Sequence, residues 1–128
     1  MNNVDYVLYK LSKSKFRSSF HLRKYMIDYI NDKGIDVIKE HTKDFINQKI
    51  GPAFPKNDGK QTPTKNHPSF IAMHACACCC RSCLEKWHHI EKGRALTEVE
   101  KEYLTNLIME WIVQELKRNE KDLHNIKH

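Results

Sequence analysis

The sequence predicts an all-α protein, a small helical domain of about five helices with one long ordered loop (residues 52–68) and a Cys/His-rich helical turn. Three observations carry this. Apolar side chains recur at spacings of three and four along most of the chain. No segment sustains the apolar/polar alternation of a half-buried strand. Four Gly and four Pro in 128 residues leave little to interrupt regular structure.

The elements follow in order. Val4, Val7, Leu8 and Leu11 form the apolar edge of a short first helix, which the polar run Ser12–Ser19 breaks. A second helix is expected over His21–Lys33, with Leu22, Met26, Tyr29 and Ile30 on one face and Gly34 as a left-handed cap. A third should begin near Ile35, carry Ile38, Phe45, Ile46 and Ile50 inward, and stop at Gly51-Pro52. All four prolines and an Asn57-Asp58-Gly59 turn signal fall within 52–68, so that segment is a loop, and a loop this long in a small domain is often functional. Helical character returns at Ser69 with Phe70, Ile71 and Met73, and Leu84, Trp87 and Ile90 continue an apolar edge to Gly93. The last helix opens on a Thr97-x-x-Glu100 capping box and buries Leu104, Leu107, Ile108, Trp111 and Ile112. Residues 119–128 read as a polar, frayed tail of a single domain spanning 1–128.

Composition narrows the class. With 40% hydrophobic and 30% charged residues the chain is globular rather than a disordered tail. No apolar run is long enough for a bilayer, and the start Met1–Asp5 lacks the pattern of a secretory signal, so a cytoplasmic location and no membrane partner are expected. In that reducing setting thiols stay free or bind metal. The formal charge of +6 is uneven. Lys10, Lys13, Lys15, Arg17, Arg23 and Lys24 lie between Tyr6 and Ile27 with no acid among them. Such a stretch could meet nucleic-acid phosphates, or be a solvated face.

The candidate site is "HACACCCRSCLEKWHH", His74–His89, which holds all five cysteines. An odd number of thiols packed within eight residues excludes a fully paired disulfide scaffold. Three readings remain. On one continuous helix Cys76, Cys80, Cys83 and Trp87 would share a face, and the thiols would be core. As a metal site, the Cys80-x-x-Cys83 spacing lets two thiolates reach one ion, with His88 five residues on and His74, Cys79 or His67 available to complete a Zn²⁺ shell. As a redox or nucleophilic site, Arg81 beside a cysteine at a helix start would lower its pKa, although a thioredoxin-like motif belongs beside strands that this chain lacks.

The stretches "FRSSFHL" (16–22), "GPAFPKNDGKQTP" (51–63), "HPSFIAMHA" (67–75) and "CCRSCLEKWHHI" (79–90) resemble, over roughly residues 12–115, a family of small bacterial proteins known as domain of unknown function 4186. The resemblance implies no activity. Its pattern includes Asn57 to Pro63, His67, His74, Cys79, Cys80, Arg81, Cys83, Trp87 and His88. Threonine is usual at Cys76 and Cys78, which implies Cys79, Cys80 and Cys83 as the better ligands. Glycine is common at His89, which implies no role for that histidine.

Two further candidates come from the residues themselves. The Asn57–Thr62 loop could hold a ligand through Asn57, Asp58, Lys60 and Gln61, with His67 beside them, Gly59 letting backbone approach and Lys56 and Lys60 meeting an anion; the plainer alternative is an exposed turn. His67 precedes Pro68 and should be extended, capping the helix that begins there. The leading expectation is a small metal-binding, structural-zinc helical domain of uncharacterised role with nucleic acid as the first partner to test. Cys80 and Cys83 are the preferred ligands, then His88, with Cys79 or His74 completing the shell. The alternatives are a metal- or thiol-dependent enzyme whose Asn57–Thr62 loop holds substrate, and a metal-free helical interaction protein with buried thiols.

Overall fold

Thr97 and Glu100 exchange both arms of the capping box, Glu100 N–H to Thr97 Oγ1 at 3.1 Å and Thr97 N–H to Glu100 Oε1 at 2.9 Å. They start the longest element of the computed structural model, which describes the backbone of residues 3–126 and the side chains of residues 3–120. The chain is all-α. Among the described residues it has six α-helices and no strand: α1 (Asn3–Ser12), α2 (Lys24–Lys33), α3 (Ile35–Phe45), α4 (Pro68–Ala75), α5 (Arg81–His88) and α6 (Glu98–Ile126). A 3-10 turn covers Arg17–Ser19 and a π turn covers Ile46–Ile50.

Helix α6 is the spine, packing against α1, α3, α4 and the π turn. Its Leu104, Leu107, Ile108 and Ile112 are completely buried and meet Leu8, Leu11, Ile30, Ile38, Met73 and Leu84 in one core. Each such side chain contributes about 1.5–3 kcal/mol when removed from water. Trp111 is only partly buried at the edge of this core.

Four boundaries differ from expectation. Helix α2 starts at Lys24, not His21, because Leu22 N–H is taken by the buried Glu115 carboxylate at 3.0 Å, leaving Arg23 as an extended N-cap. The third helix does not run evenly to Ile50. It passes into the π turn, where Gly51 N–H reaches back to Ile46 C=O at 2.7 Å. The cysteine segment is not one helix, since residues 76–80 separate α4 from α5. Helix α6 continues through the expected tail to Ile126; residues 127–128 lie outside the described residues.

Gly34 links α2 to α3 with φ +89 and ψ 151, a conformation open to glycine alone, and serves as the C-cap of one helix and the N-cap of the next.

Candidate metal centre

Helix α4 begins as the sequence predicted: His67 is extended (φ −145, ψ 138) and its Nδ1 accepts the Ser69 N–H at 2.9 Å. It ends abruptly. Ala77 N–H bonds to His74 C=O at 3.2 Å and Cys78 N–H to Met73 C=O at 2.8 Å, with Ala77 in the left-handed region at φ 57. This is the Schellman arrangement, here with alanine where glycine is usual. It reverses the chain, and Cys80 arrives extended (φ −158, ψ 168) at the start of α5, directly after Cys79. Cys80 is the N-cap of α5, and Cys83 lies one turn in.

The 57–62 loop braces this turn. Asp58 Oδ1 accepts the orphan Arg81 N–H at 3.1 Å and a Gln61 Nε2–H at 2.9 Å, and Thr62 Oγ1 donates to Cys79 C=O at 2.7 Å. The carboxyl of Asp58 is held below its usual range, burial opposing the donors from Gln61 and Arg81. From the other side the Arg81 guanidinium, 1% exposed, donates to the carbonyls of Pro52, Glu91 and Arg94 at 2.7–2.9 Å.

These supports bring three sulfurs together. Cys83 Sγ lies 3.2 Å from Cys80 Sγ and 3.6 Å from Cys79 Sγ, and all three are within 4.8 Å of one another. Cys79 and Cys80 are 8% and 7% exposed, while Cys83 is more open to solvent. The group could hold a metal ion. Sulfurs around a tetrahedral Zn²⁺ at about 2.3 Å stand about 3.8 Å apart, a spacing these side chains reach with small adjustments.

Arg17 is the residue that sequence reasoning misplaced. Read as one of a run of surface bases, it is 8% exposed and points inward from the 3-10 turn. Its Nη2 donates to Cys83 Sγ at 3.1 Å, and its Nη1 donates to His74 C=O at 2.7 Å and faces Cys79 Sγ at 3.7 Å. Burial alone would lower the Arg17 pKa, but the two sulfurs raise it above its ordinary value. The Cys83 thiol, and then Arg17, bring Cys79 down to about 7 against the effect of burial. The bond to Cys79 and then burial push the Cys83 thiol up. The cation beside the thiols is therefore Arg17, and the expected role of Arg81 there is corrected: its guanidinium is spent on backbone carbonyls.

The structure does not bring the expected histidines into this group. His88 uses both ring nitrogens elsewhere: Nε2–H donates to Cys76 C=O at 2.8 Å and Nδ1 faces Tyr103 Oη at 3.0 Å. Carbonyl oxygen can only accept, so Nε2 carries the proton and Tyr103 donates to Nδ1. Burial lowers the His88 pKa and keeps the ring neutral. His74 Nε2–H donates to Thr62 C=O at 3.0 Å, and its ring stacks on Phe20. His67 sits apart, its Nε2 against His41 Nδ1 at 3.0 Å, among Tyr29, Phe45 and Phe70. Cys76 and Cys78 are completely buried and behave as core, with pKa values raised by burial. In the loop, Asp58 and Gln61 have their polar groups committed to the cysteine turn and to neighbouring backbone, Gln61 Oε1 accepting Gly59 N–H at 2.7 Å. Asn57 takes φ 55 and its carbonyl accepts the N–H of exposed Lys60 at 2.8 Å. Within the fold this loop braces the cysteine turn.

The sequence model of domain of unknown function 4186 matches residues 5–113. The chain belongs to that family. The match to domain of unknown function 4186 runs from α1 well into α6, and takes in Arg17, the bracing loop and all three clustered sulfurs. No solved structure matches the chain. Among the described residues no helix is long and apolar enough to cross a membrane.

Proposed function

We propose that the protein binds one Zn²⁺ ion through the thiolates of Cys79, Cys80 and Cys83, with a fourth coordination position left for an exchangeable ligand. The observation that carries this reading is the convergence of three sulfurs within 4.8 Å of one another. Three thiolates and a divalent ion make a site of net charge −1, and the Arg17 guanidinium, at 3.1 Å from Cys83 Sγ, balances it and donates to sulfur. Both ring nitrogens of His88 are engaged by Cys76 and Tyr103, and among the described residues the clustered ligand atoms are those of the three cysteines alone. Three protein ligands with one open position is the coordination that catalytic zinc uses. It favours the enzyme alternative over a closed structural site.

Elemental analysis of untagged protein purified under reducing conditions tests the reading. About one zinc per chain is expected, with loss in Cys80→Ser and Cys83→Ser. Arg17→Leu should weaken binding about tenfold or more, as removal of an outer-shell partner does. Wild-type protein without stoichiometric metal overturns the proposal.

A second reading is favoured by the 3.2 Å separation of the Cys80 and Cys83 sulfurs at the start of α5. In it, the pair gives two electrons and two protons to an oxidised disulfide substrate and becomes a Cys80–Cys83 disulfide. Metal-free wild type that gains this bond reversibly with glutathione disulfide, seen by intact and peptide mass, supports this reading over the first.

A further inference from the structure

Helix α1 turns an unusual face outward. Tyr6 and Tyr9 are each 53% exposed, with Lys10 Nζ 5.7 Å from the Tyr6 ring centroid and Lys13 Nζ 5.0 Å from that of Tyr9. Tyr6, Tyr9 and Lys10 share one helical face, Lys13 follows directly after the helix, and each lysine ammonium lies over the ring four residues before it. Phe16, 59% exposed, follows.

The near edge of this face opens into a groove of about 560 Å³ between α1 and the α5–α6 corner, lined by Tyr6, Lys10, Trp87, His89, Val99 and Tyr103. Glu100 also borders it, but its carboxylate is bonded by both Arg94 Nη groups at 2.7 and 2.8 Å. Lys15, Arg23 and Lys24 are exposed on the segments that follow α1, and Lys24 is paired with Asp28 at 2.9 Å. The groove therefore combines flat aromatic walls with the Lys10 ammonium at its rim, and further exposed bases follow α1 along the chain.

We propose that this face binds single-stranded nucleic acid, one base entering the groove against Tyr6 and Trp87 while the adjoining phosphates meet Lys10 and Lys13. The chemistry is that of single-strand binding surfaces, in which aromatic side chains stack on bases and lysines track the backbone. A duplex hides its bases from such rings, and a second copy of this chain, at +6, would bring like charge to like charge. The groove has the volume of a small-ligand site, sufficient for one base with its sugar. The site is separate from the three sulfurs, so it stands or falls independently of the metal reading.

Fluorescence anisotropy with labelled single strands of about 15 nucleotides, and with the duplex of the same sequence, is the test. The protein is used as purified. Single strands should bind more tightly than duplex, with affinity falling steeply with salt and Trp87 emission quenched on binding. Tyr6→Ala should weaken binding about tenfold, as loss of one stacking ring does. Lys10→Glu/Lys13→Glu should weaken it further and flatten the salt dependence. All three positions are exposed, and circular dichroism identical to wild type keeps the comparison clean. Duplex binding equal to or tighter than single-strand binding, or unchanged affinity in both variants, overturns the proposal. So does absence of strand binding in a protein that sediments with anionic lipid vesicles.

Discussion

Arg17 enters from the 3-10 turn and touches sulfurs that stand 62 and 66 positions further along the chain. That separation is why it was not legible: beside Lys13 and Lys15 it reads as one more solvated base, and only the tertiary fold turns it inward. The sulfurs themselves were legible, because Cys80-x-x-Cys83 spacing limits where two thiols can go. The histidines were not, since ring nitrogens are claimed by whichever carbonyl or hydroxyl the fold supplies, as Cys76 and Tyr103 do for His88. His89 shows the same limit in a backbone. It caps α5 in the left-handed region at φ 58, exposed, with its N–H on Leu84 C=O. A β-carbon is costly there, so His89→Gly should stabilise the fold by about 1 kcal/mol. A urea midpoint raised at unchanged slope is the expected readout, and an unchanged or lower midpoint would count against that backbone assignment.

At the scale of elements, the π turn makes the sharpest demand. Gly51 has an ordinary negative φ of −66, yet a β-carbon on it would lie 2.8 Å from Asn47 O and 3.2 Å from Ile46 O, both backbone atoms. Gly51→Ala should therefore destabilise the protein by about 1–3 kcal/mol, as overpacking against unyielding neighbours does. Thermal melts of the variant against Gly34→Ala would separate crowding from backbone strain, because Gly34 has open space around it but a positive φ. Existence of the helices was legible from apolar spacing and from the Thr97–Glu100 box. Their ends were less so, two of them decided by a partner distant in sequence: Glu115 for α2 and Asp58 for α5. The α4–α5 break was hidden because its left-handed residue is Ala77, and the usual signal for such a turn is glycine.

For the whole molecule, two histidines set the response to acid. His67 is lowered to about 4 by burial and by neighbouring His41, and burial lowers His88 as well. An unfolded chain takes up these protons near pH 6.5. The folded protein resists them, so stability is complete above about pH 6.5 and is lost as pH falls from there towards 4. Glu100, held at about 2 by Arg94, begins to cost stability only below the ordinary carboxylate range near pH 4.3. Urea midpoints should thus fall between about pH 7 and about pH 5 through the histidines alone. His67→Asn, which keeps an acceptor for Ser69 N–H, should flatten part of that decline. Equal slopes in the two proteins would assign the acid response elsewhere.

The buried Arg81 bears on how the protein is made. Its guanidinium gathers carbonyls from Pro52, Glu91 and Arg94, and its own backbone N–H waits on Asp58. During synthesis the cysteines leave the ribosome before residue 94 does, so the socket for that cation is incomplete while the thiols are already in solvent. The newborn chain therefore passes through an interval in which its sulfurs are exposed and ungrouped. The three sulfurs take up their grouped arrangement only when the downstream turn closes over Arg81.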